Sequence, residues 1–62
     1  NDQSGALWMQ YTLLSVKQGL LDQADEGEAQ VKQFSIPADY QLFLTHYQPM
    51  RALVEKERAE FQ

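Results

Sequence analysis

The chain has no cysteine, two prolines, three glycines, one histidine, one tryptophan and only five Lys and Arg in its 62 residues. Without cysteine there is no disulfide framework and no thiolate zinc site, the two usual staples of a small fold. A chain this short holds one domain and covers only roughly 60% of the surface its unfolded form exposes. Oligomerisation, or docking on a partner, is then the remaining route to stability. The five basic residues, Lys17, Lys32, Arg51, Lys56 and Arg58, form no cluster that could follow a phosphate backbone, so no nucleic-acid partner is expected. No apolar run approaches the roughly 18 residues of a membrane span. The most apolar stretch, Ala6 to Val16, is interrupted by Gln10, Tyr11, Thr12 and Ser15, and it has no basic segment before it, unlike a secretory signal. A start at Asn1 rather than Met suggests a processed or excised piece.

What is present is helical. Proline disfavours helical geometry in the residue before it and suits the first turn of a new helix, so Ser35-Ile36-Pro37-Ala38-Asp39 marks a break. Asp39 places a carboxylate where the new helix dipole favours it. Before the break, Ala6, Met9, Leu13, Val16, Leu20, Ala24, Gly27, Val31 and Phe34 recur at steps of three and four. After it, Ile36, Tyr40, Phe43, Tyr47, Met50, Val54 and Phe61 keep the same rhythm, with Glu57 the one polar position. The pattern predicts an all-α, antiparallel two-helix hairpin: a helix over about residues 5–34, a turn at 35–36 and a helix over about 37–61.

Folding back at that turn pairs Val31 with Tyr40, Gly27 with Phe43, Ala24 with Tyr47, Leu20 with Met50, Val16 with Val54 and Met9 with Phe61. Small residues then stand opposite large ones near the turn, as close helix packing requires. Pro49 should kink the second helix rather than end it, because the stripe keeps its phase across it. Gly19 and Gly27 each cost about 1 kcal/mol in a helix interior. The segment Asp22-Gln23-Ala24-Asp25-Glu26-Gly27-Glu28 is the place where a loop would yield the alternative, a three-helix arrangement. Ser4 and Ser35 are expected to cap the two helices.

The chemistry-bearing residues read as structural. His46 has Leu42, Phe43, Pro49 and Met50 at its helical neighbour positions, which supply neither a second ligand nor a carboxylate partner. Placing Gly27 at the sixth position of a calcium loop leaves Ala24 at the third and Gln33 at the twelfth, where ligands are needed. Ser4, Ser15 and Ser35 have no base arranged around them, and the glycines form neither a phosphate loop nor a dinucleotide fingerprint. No enzyme activity, cofactor, metal or small-molecule ligand is expected.

The surplus is apolar. Leu7, Tyr11, Leu14 and Leu21, with Trp8 between them, form a second stripe that the hairpin seam does not use. Leu42, Leu44 and Leu53 are left over on the second helix. Two helices alone cannot cover both stripes, so Leu7, Trp8, Tyr11, Leu14 and Leu21 are the expected partner-binding residues, facing a second copy or another protein. The alternative is a regulatory or inhibitory face made of Asp22, Asp25, Glu26 and Glu28, which would occupy a basic site on a target. Glu28 and Lys32 stand at a favourable i,i+4 spacing on that face.

At Pro37-Ala38-Asp39-Tyr40-Gln41 and Arg51-Ala52-Leu53 the chain resembles small helical-hairpin co-chaperones of bacterial type III secretion. The resemblance covers about a third of the chain. It implies a cytoplasmic helper without enzymatic activity that binds its partner through an apolar helix face.

Overall fold

A computed structural model describes residues 3–60 and shows three α-helices, with no strand among those residues. They are α1 (Ser4–Lys17), α2 (Leu21–Phe34) and α3 (Pro37–Glu60). The chain is all-helical, as expected, but the two-helix hairpin needs correction. The first long helix is two shorter ones, and the break is at Gln18-Gly19-Leu20, not in the 22–28 segment.

The turn at Gly19 is a Schellman closure. Leu20 N–H donates to Ser15 C=O at 2.9 Å and Gly19 N–H to Val16 C=O at 3.0 Å. Gly19 has φ +78°, a left-handed geometry that an L side chain disfavours. Lys17 in the last turn of α1 and Asp22 in the first turn of α2 each suit the dipole of their helix. The second break stands where expected: Ser35 is extended, at φ −114° and ψ 150°, and α3 begins at Pro37. Pro49 sits inside one continuous α3.

Neither serine caps a helix. Gln3 is the N-cap of α1 and Ser4 its first helical residue. The Ser35 hydroxyl is buried without a hydrogen-bond partner among the described residues.

Gly27 is not a breaker but a contact. It is buried inside α2, and a Cβ there would lie 3.1 Å from Thr12 Cβ and 3.2 Å from Tyr11 Cδ2, and closer still to Thr12 Oγ1. Gly5 meets the other end of α2, where a Cβ would lie 2.7 Å from Ser35 Oγ and 2.9 Å from Phe34 C=O. With the start of α1 at the end of α2, the two helices run antiparallel. On α2 and α3, Tyr40 meets Glu28 and Arg51 meets Asp25, an antiparallel pairing within a turn or so of the expected register. It follows that α1 and α3 point the same way.

This arrangement changes the core. Thr12 (0% exposed), Ser15 and Gly5 line the α1 seam against α2, whereas Ala6, assigned to the seam by its spacing, is exposed. Small residues win that face because they let the two backbones approach. Thr12 and Ser15 lose nothing by burial, since their hydroxyls donate to Trp8 C=O at 2.7 Å and Tyr11 C=O at 2.8 Å. Val16, Ala24, Val31, Phe43 and Tyr47 form the buried apolar centre, with Phe43 and Tyr47 stacked at 5.2 Å. The pairs expected between α1 and α3, Val16 with Val54 and Met9 with Phe61, would need α1 colinear with α2. Phe61 lies outside the described residues.

Length decides the outline. At about 1.5 Å per residue α3 is about 36 Å long, against about 21 Å for α1 or α2. The molecule measures 43 × 18 × 13 Å, and every residue from 55 to 60 is exposed. The last turns of α3 overhang the bundle.

Candidate protein-interaction surface

On α1, Leu7, Tyr11 and Leu14 follow i, i+4, i+7 spacing and share one side of the helix. They are 62%, 39% and 57% exposed. The register that turns Gly5, Thr12 and Ser15 toward α2 leaves this side to solvent. Trp8 is half-buried between the stripe and the core and meets Tyr11 edge-on at 5.4 Å. Ser4, Leu7, Trp8 and Tyr11 line a shallow hollow of about 460 Å³. Leu21, the fifth residue expected there, is on α2 and packs partly buried against the core. The structure therefore brings four of the five together and separates Leu21.

A second apolar feature escaped the sequence pattern. Between α1 and α3 runs a groove of about 530 Å³, with Met9 and Leu13 on one wall and Leu42 and Phe43 on the other. Phe34 and Ile36 close its end at the α2–α3 corner, and Ile36 and Leu42 are each 63% exposed. Its polar lining includes Ser35, Asp39 and His46. Met9 and Leu13 were legible as apolar positions; that they face a groove depends on α1 lying beside α3.

The acidic segment divides. Arg51 of α3 donates through Nη1 to Asp25 and, at 2.8 Å, to the Tyr47 phenol oxygen, and its Nε donates to Glu55 at 3.4 Å. Tyr40 OH donates to Glu28 at 3.3 Å. Asp25 and Glu28 thus fasten α2 to α3, leaving Asp22 and Glu26 as exposed carboxylates without that role. The bonds to Asp25 and Tyr47 raise the Arg51 pKa further, so the guanidinium is charged throughout the accessible pH range.

Burial, chiefly, lifts the Tyr47 phenol above the ordinary 10.0, against the opposing pull of Arg51. Tyr40 is raised first by burial and then by the Glu28 charge. Both phenols hold their protons more tightly in the folded chain than in the unfolded one. Their contribution to stability is complete below about pH 10 and is lost as the pH rises through the folded values. In denaturant titrations across that range, the parent should lose stability more steeply with pH than a Tyr40→Phe, Tyr47→Phe variant. Parallel curves would show that the phenols are not coupled to folding.

Chemically the surface offers contact rather than reaction. The Thr12, Ser15 and Thr45 hydroxyls are bonded to carbonyls one turn back. Among the described residues no three His, Asp or Glu side chains converge as a metal site would require, and no helix is long and apolar enough to cross a membrane. No family model, no curated protein and no solved structure matches the chain.

Proposed function

We propose that the protein is a non-catalytic interaction module that docks the Leu7, Tyr11 and Leu14 side of α1, flanked by Trp8, on an apolar helix of another polypeptide or of a second copy. The observation that supports this reading is the apolar surplus. Eight large hydrophobic side chains are exposed among the described residues, against five buried hydrophobic ones. Three of the eight make a stripe with the spacing of a helix-in-groove anchor. Tyr and Trp are the residue types that contribute most at interface centres. A co-chaperone, the role implied by the type III secretion resemblance, is one form such a module would take. The acidic reading draws less support, because Asp25 and Glu28 are engaged within the chain.

Leu7→Ser combined with Leu14→Ser tests the stripe. Both side chains are mostly exposed, so helicity and melting temperature should change little. Sedimentation equilibrium should show association in the parent and a monomer in the variant. The only tryptophan adjoins the stripe, so its emission should shift to shorter wavelength as the parent associates, and not in the variant. Equal association of parent and variant would sink the assignment.

A further inference from the structure

The turn between α1 and α2 is built to open. We infer that α1 can swing out at Gly19 to become colinear with α2, and that two such opened chains exchange their α1 helices to form a two-fold, four-helix dimer. Three independent observations carry this.

The first is the hinge itself. Gly19 is the only described residue with positive φ, and a Cβ built there meets nothing within 4 Å. Only backbone geometry holds the turn closed at that residue.

The second is phase. Val16, Leu20 and Ala24 lie at i, i+4 and i+8, so the apolar stripe runs through the turn as if the helix had never ended. The same residues serve a bent pair of helices and one straight helix over residues 4–34.

The third is the overhang of α3. The closed form leaves residues 55–60 exposed and Leu53 59% exposed. A straightened α1 would pass along that overhang and bring Val16 towards Val54.

The exchanged dimer keeps the closed form's contacts. In the monomer Thr12 packs on Gly27, and Gly5 on Phe34 and Ser35, each pair lying on opposite sides of Gly19 at nearly equal distance. Two straight helices crossing antiparallel at Gly19 recreate the same pairs between copies. Thr12 of one copy meets Gly27 of the other, and each α1–α3 neighbour pair becomes intermolecular. The α2–α3 ties, Asp25 to Arg51 and Glu28 to Tyr40, stay within one chain. Only the hinge differs between the two forms, which is the condition for exchange at low cost. The partner is a second copy of this chain, and the inference does not rest on the exposed stripe.

Gly19→Ala tests it. Alanine at a left-handed position is disfavoured by about tenfold in equilibrium terms, while in a straight helix it is favoured over glycine. Each dimer opens two hinges, so the dimerisation constant should rise by about a hundredfold. Gly19→Asn tolerates the left-handed turn and should stay close to the parent. Helicity by circular dichroism checks that both variants are folded. In Gly19→Ala mixed from isotope-labelled and unlabelled chains, filtered NMR should show Thr12 of one copy against Gly27 of the other. A folded Gly19→Ala variant that stays monomeric, or shows Thr12–Gly27 contact only within chains, overturns the inference. Adding Leu7→Ser and Leu14→Ser to Gly19→Ala should leave this dimer intact. If those changes dissolve it, the copies associate through the stripe, and the exchange fails while the proposed docking surface stands.

Discussion

Tyr47→Ala should abolish the cooperative fold at ordinary temperature. Tyr47 is 2% exposed, stacks on Phe43 and receives the Arg51 guanidinium. Truncating a buried aromatic of this size costs about 3–5 kcal/mol in lost burial and cavity. The whole stability of a domain this long is about 3–9 kcal/mol. The change also leaves Arg51 without one of its acceptors on the inner side of α3. Tyr47→Phe keeps the ring and removes only the phenol oxygen, so it should cost about 1 kcal/mol. Urea titration followed by circular dichroism checks both. A Tyr47→Ala variant that melts cooperatively within a few degrees of the parent would show that the α2–α3 contact is not what holds the domain.

Gly27→Ala should destabilise the fold by about 2 kcal/mol, against the direction that helix propensity alone indicates. Alanine is the better helix former by about 1 kcal/mol. Its methyl, however, would be forced onto Thr12, which is 0% exposed and tied by its hydroxyl to Trp8 C=O. Nothing at that contact is the free end of a flexible chain, so α1 and α2 must part. Thr12→Ala removes the atom that clashes most and leaves a 3.1 Å approach to relax. The double variant should therefore recover most of the Gly27→Ala loss, giving a favourable coupling of about 1 kcal/mol in a double-mutant cycle. Additive losses would mean that the two residues do not touch. A stabilised Gly27→Ala would mean that α1 sits farther from α2.

These two sites mark where the sequence could and could not be read. Gly27 looked like a helix breaker because composition cannot distinguish a glycine that bends the chain from one that admits a neighbour. Gly19 drew less suspicion because the apolar rhythm passes through it without a change of phase. Lys17-Gln18-Gly19 does carry an end signal, a basic residue in the last turn followed by glycine. The periodicity outweighed that signal in the sequence reading.

The exposed Leu7 and Leu14 were legible, since helical spacing alone sets them off from the other apolar positions. The half-burial of Trp8 was not, because it depends on which neighbour the rest of α1 chooses. Leu21 joined the stripe only on the assumption of one straight helix. Once the chain reverses at Gly19, it belongs to a helix running the other way.

Local chemistry was enough to settle that the described chain is helical throughout, that it turns at Ser35-Ile36-Pro37 and that α3 runs on through Pro49. Proline geometry and hydrophobic period act over a few residues and need no distant partner. Tertiary structure decided that there are three helices rather than two. It also decided that Gly5, Thr12, Ser15 and Gly27, rather than the larger apolar side chains, make the α1–α2 seam, and that Asp25 and Glu28 tie helices together. Each of these follows from how closely two backbones approach and which residues lie opposite one another across the gap. The absence of cysteine has the same physical setting. A chain with no covalent staple and a thin core closes its helices with a glycine turn, close small-residue contacts and one arginine bridge.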